Sequence, residues 1–137
     1  MPRLTGTMTY RVTVEAHETY VHARLDGTRT PENLLRYMRE AYLACVQHGR
    51  RDLLLEMNLA NSDLDSSAIY RVILQRAADG AKLRRIAYVE TGAVSAAKSR
   101  FAETVAVNRA VNVRLFPSLG EAKAWLESDG PAAARTP

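Results

Sequence analysis

A chain of 137 residues with 47% hydrophobic and 25% charged side chains has the size and composition of one globular domain around a single core, with no second domain. The net charge of +4 is spread along the chain, and its nearest approach to a basic patch is Lys82, Arg84 and Arg85; a nucleic-acid partner needs a concentrated stripe and is not expected. One cysteine excludes an internal disulfide, the opening MPRLTGTM lacks the apolar run of a signal peptide, and no stretch approaches a membrane span, so the reading is a cytoplasmic protein without stable membrane insertion.

The first strand is marked by Met8, Tyr10, Val12 and Val14 alternating with Thr9, Arg11, Thr13 and Glu15. Ala16 to Glu18 reads as a short turn. From Tyr20 to Leu25 the alternation resumes with Val21, Ala23 and Leu25 on one side, and the short connection predicts an antiparallel hairpin ended by Asp26-Gly27. Thr30-Pro31-Glu32 then opens a helix, with a capping threonine, proline at the first helical position and an acid in the first turn. Leu34, Met38, Ala41 and Cys45 form its buried stripe, and His48-Gly49 closes it. Cys45 on that stripe reads as a buried, inert thiol.

The middle of the chain is LLLEMNLANSDLDSS, Leu53 to Ser67. Leu53, Leu55, Met57 and Leu59 alternate with Leu54, Glu56 and Asn58, which predicts a strand with one face covered and the other more open. Asn61 to Asp65 is a polar connection whose side chains can bond their own backbone. Ile69, Val72, Ile73 and Ala77 predict an amphipathic helix with Asp65 or Ser66 as N-cap and Ser67 in the first turn, at the positive end of the helix dipole. Gly80 is its expected stop, as a residue that enters the left-handed region at little cost.

Arg85 to Glu90 reads as a further strand. Val94, Ala97, Phe101 and Val105 mark a helix running to about Arg109, and Val111, Val113 and Leu115, alternating with Asn112 and Arg114, mark a last strand. Ser118-Leu119-Gly120-Glu121 has the form of a capping box and opens a helix with Leu119, Ala122 and Leu126 inward and Trp125 at its edge. From Asp129 onward no period remains, so the domain is placed at 1–128 and a disordered tail at 129–137.

The resulting order is ββαβαβαβα, an α/β domain with a mostly parallel five-stranded sheet, an antiparallel edge strand, and helices mainly on one face. Alternation puts Arg11, Thr13, His22, Arg24, Glu56, Asn58, Asn112 and Arg114 on the other face, a solvated surface or the contact surface of a homodimer. Catalytic signals are absent: there is no glycine-rich phosphate loop, nucleophile elbow or metal-spaced histidine pair among His17, His22 and His48. Asn61-x-Asp63-x-Asp65 begins like a calcium loop, but Ser66 and Val72 stand where glycine and glutamate are needed. The expectation is a non-enzyme with no catalytic residue, no cofactor and no metal.

The strand ending Leu25-Asp26-Gly27, the Thr30-Pro31 helix, the alternating strand Leu53 to Leu59 and above all Asp65-Ser66-Ser67 resemble the STAS family, the SpoIIAA-like domain of anti-sigma-factor antagonists. The resemblance runs from about Tyr20 to Leu126 and implies a β-α superhelix with helices chiefly on one side. It also implies a regulatory or protein-interaction module, in which Ser67 matches the serine phosphorylated by a partner anti-sigma kinase. Asp63, Asp65 and Ser66 would be its neighbours in a partner-binding surface. Ala68 stands where the family usually has glycine. Asn108-Arg109-Ala110, Leu115-Phe116 and Ala124-Trp125-Leu126 are more similar to a divergent bacterial branch, STAS/SEC14-like. The partner implied is an anti-sigma-type kinase or a transporter-associated protein. The alternative is a carrier of a small hydrophobic ligand or lipid, held in an apolar pocket between helices and sheet.

Overall fold

In a computed structural model of the chain, which describes residues 10–60, 64–92 and 95–128, each periodic segment becomes one element. They are β1 (Tyr10–Ala16), β2 (Val21–Thr28), α1 (Pro31–His48), β3 (Asp52–Ala60), α2 (Ser66–Gly80), β4 (Arg85–Glu90), α3 (Ala96–Val107), β5 (Val113–Phe116) and α4 (Leu119–Ser128). Met8, Thr9, the connection residues 61–63, Val94 and the tail 129–137 lie outside the described residues. The strands lie side by side in chain order, β1 antiparallel to β2 and the rest parallel, as the pattern predicts.

The helix starts are set by side-chain caps. Thr30 accepts from the Asn33 amide at 3.0 Å, and Asn33 Nδ2 donates back to the Thr28 carbonyl at 2.9 Å. Asp65, rather than Ser66, caps α2 through the Ala68 amide at 2.8 Å, and Ser95 caps α3 through Lys98. Gly49 ends α1 in the left-handed region at φ 66°, where its amide bonds the last turn. Gly80 does something else: it remains helical, with Ala81 as an ordinary right-handed cap. A Cβ there would stand 3.1 Å from Val111 Cγ1, so glycine at this position serves close packing of α2 on the strand approach.

The first core lies between the sheet and α1, α2 and α3. Val21, Ala23 and Leu25 of β2 and Leu53, Leu55, Met57 and Leu59 of β3 supply its floor. On α1 the largest fully buried side chain is Tyr37, which the leucine–methionine stripe does not reveal; its hydroxyl donates to the Asp26 carbonyl at 2.6 Å, and Met38 is only half-buried. Cys45 is fully buried, and burial pushes its thiol up to about 12, the inert state expected of it.

The other sheet face is not uniformly open. α4 folds back across it and seals a second core of Tyr20, Leu54, Ala87, Val89, Phe116, Ala122 and Leu126. β3 is therefore buried on both faces, against the expectation of one open side: Leu54 lies under α4, and Glu56 is only 4% exposed beneath Arg24 and His22. The helix is tied down by charge as well. Arg85 Nη2 donates to the Asp52 carboxylate at 2.7 Å and to the Leu126 carbonyl at 3.0 Å, while its Nη1 donates to the Trp125 carbonyl at 3.1 Å. One guanidinium thus serves a buried acid and carbonyls of the last turn of α4. No helix among the described residues is long and apolar enough to cross a membrane.

Candidate functional site

Because β2, β3 and β4 are parallel, α1, α2 and α3 all begin at the carboxyl edge of the sheet. That edge is where open α/β sheets place their ligands. The Asp65-Ser66-Ser67 motif sits there at the start of α2. Asp65 turns its carboxylate onto the helix amides, whereas Ser66 and Ser67 are exposed. The Ser67 hydroxyl accepts from Arg71 Nη1 at 3.0 Å, one helical turn on. Asp63 lies outside the described residues.

α1 and α3 approach the strands closely, but α2 packs chiefly against those two helices. The apolar side chains it turns inward leave a cavity of about 130 Å³ between helix and sheet. Ile69, Val72 and Ile73 form its roof, Met38 and Ala102 its flanks from α1 and α3, and Met57 part of its floor. Periodicity places these residues inward; it carries no sign that they fail to meet.

Few polar groups line this cavity. Arg29 and Tyr88, which both line it, share the carboxylate of Glu90: Arg29 Nη2 donates at 2.6 Å and Tyr88 Oη at 2.9 Å. The Gly92 amide adds a third bond at 3.1 Å. Burial and then the Glu90 charge push the Tyr88 phenol well above its ordinary value, so it stays a neutral donor. Gly92 has its own constraint, since a Cβ there would fall 2.4 Å from the Leu59 carbonyl oxygen.

The polar face expected from alternation is real over β1, β2 and the end of β3. Arg24 bonds Asp26 at 2.9 Å and Glu56 at 3.1 Å, His22 Nε2 lies 2.8 Å from Glu56, and Asn58 Nδ2 donates to Asp26 at 2.9 Å. The Arg24 bonds hold the Asp26 carboxyl below its ordinary range, against the effect of burial. At the far edge the expectation changes: Asn112 precedes β5 and donates to the Arg84 carbonyl at 2.8 Å, and Arg114 lies over the Phe116 and Trp125 rings. Among the described residues Glu15, His17 and His22 come together at the hairpin turn, whereas His48 stays at the end of α1.

No protein-family model matches the chain, and no curated protein matches it. Among solved structures it is similar to an uncharacterized protein of the DUF3478 family with a SpoIIAA-like fold from Shewanella loihica PV-4, at 13% identity and a TM-score of 0.54 over 85% of this chain and 93% of that one. The order of the nine elements among the described residues and the likeness of shape agree: the chain has a SpoIIAA-like fold.

Proposed function

We propose that this chain is a non-enzymatic binding module of SpoIIAA-like fold that holds one small apolar molecule in the cavity beneath α2. The observation that carries this reading is a cavity of about 130 Å³ whose lining is almost wholly apolar. Apolar cavities of about 150 Å³ accept benzene, so the volume suits a single aromatic ring or a short branched alkyl group and falls far short of a two-chain lipid. Toluene is the probe. Wild-type protein is expected to take it up with shifts of methyl resonances from Ile69, Val72 and Met57. Ala102→Leu, which fills the same space, is expected to abolish uptake while raising unfolding stability by about 1 kcal/mol in urea. Toluene shifts that persist unchanged in Ala102→Leu, or none in wild type, sink the reading.

A second reading concerns the α2 start and is favoured by the exposed Ser67 hydroxyl bonded to Arg71. A phosphoryl group there would meet the helix dipole and the Arg71 guanidinium, and would place nearly two negative charges in the path of a docked protein. With a purified anti-sigma-type kinase and ATP, label is expected on wild type and not on Ser67→Ala, with Ser67→Asp binding the kinase more weakly. Equal binding by all three proteins removes the switch.

A further inference from the structure

The hairpin turn gathers metal-ligating side chains that neither reading uses. Glu15 and His22 are cross-strand partners in the β1–β2 ladder, so both leave the sheet on the same face. His17 follows in the turn. Its backbone is fixed by its amide donating to the Tyr20 carbonyl at 2.8 Å and by Arg50 Nε donating to its own carbonyl at 2.8 Å. Its ring stacks on Tyr20 with centroids 4.7 Å apart, and its Nε2 lies 3.0 Å from Glu15 Oε1. One ligand atom from each of Glu15, His17 and His22 lies within 4.8 Å of the others.

We propose that Glu15, His17 and His22 form a binding site for a borderline divalent transition-metal cation, zinc first, with water completing the coordination. Two imidazoles and a carboxylate are the donor set of open zinc sites. Tetrahedral bonds of about 2.0–2.1 Å put neighbouring ligand atoms about 3.3 Å apart, so the Glu15–His17 pair is already at working distance and only His22 has to close in. Behind His22 stands the buried carboxylate of Glu56, 2.8 Å from Nε2. A proton held there leaves the lone pair on Nδ1, and a carboxylate behind a ligand imidazole fixes its tautomer and raises its basicity. The site lies on the sheet face opposite the apolar cavity, so it stands or falls independently of the proposed function.

The test is zinc titration of the full chain by calorimetry, with cobalt substitution read by visible absorption. One equivalent per chain is expected, with the d–d absorption of low-coordinate cobalt. His17→Ala, in a turn whose backbone is held by other bonds, is expected to lose affinity about 100-fold with an unchanged circular-dichroism spectrum, and Glu15→Gln about 10-fold. His48→Ala is expected to bind as wild type does. No zinc uptake by wild type, or uptake unchanged in His17→Ala and in His17→Ala/His22→Gln, overturns the proposal.

Discussion

Arg85→Ala is expected to lower the unfolding free energy by about 3–5 kcal/mol, measured by urea denaturation. The side chain is buried and bonds Asp52 and the Trp125 and Leu126 carbonyls, so truncation leaves a buried carboxylate with less compensation and strips donors from the end of α4. Arg84 also bonds Asp52, at 2.6 Å, and keeps the loss from being larger. The paired replacement Asp52→Leu/Arg85→Met is expected to recover most of the loss, because two apolar groups of similar size no longer need partners. The same site has a pH signature. Burial works against the Asp52 charge, but the bonds from Arg84 and Arg85 outweigh it, and the carboxyl is held below its ordinary value. Its contribution is therefore complete above the unfolded-state value near pH 4 and is lost as pH falls through the lower folded value. Stability of the wild type should fall in that acid window, and Asp52→Asn should flatten the fall; an identical acid slope in both proteins would contradict the assignment.

Glu90→Ala should cost about as much, about 3–5 kcal/mol. Three donors converge on that carboxylate, from Arg29, Tyr88 and the Gly92 amide, and its side chain is 7% exposed. Alanine leaves all three without this acceptor in a place water reaches poorly. Glu90→Gln keeps an oxygen for one or two of them but gives up the charge, and should fall about midway. A double-mutant cycle with Arg29→Met isolates the ion pair, and a coupling within error of zero would show that the bonds to Tyr88 and Gly92 carry the effect instead. Because Arg29 and Tyr88 line the cavity, toluene uptake in Glu90→Gln reports whether this network also shapes its margin.

The element order and the antiparallel edge were legible because period and capping are local: Thr30-Pro31 starts a helix wherever it is placed, and Arg85–Glu90 has the bounds its sequence suggests. What lay between elements was not legible. Leu54 alternates into a polar face and looks like an exception until α4 crosses the sheet to cover it, and nothing in α4's own stripe says which face it will choose. Glu56 reads as a solvated acid, yet Arg24 and His22 close over it from the neighbouring strand. The exposed Ser66 and Ser67 were placed correctly at a helix start, since Asp65 is a local cap. The histidine cluster was missed for want of register: His17 and His22 are too far apart for a helical pair, and only the pairing of Glu15 with His22 across the turn brings them together. A hairpin ladder drawn from the alternation would have revealed it. The cavity had no sequence signal, because inward-facing residues look the same whether or not they touch.

The way α2 is seated has a consequence for motion. Gripped at its sides by α1 and α3 while its backbone stands off the strands, it has less holding it from below than either neighbour. Such a span is the first to lift when the domain breathes, and its amides should exchange with solvent sooner than those of α1. A guest would enter and leave more readily through that loosening.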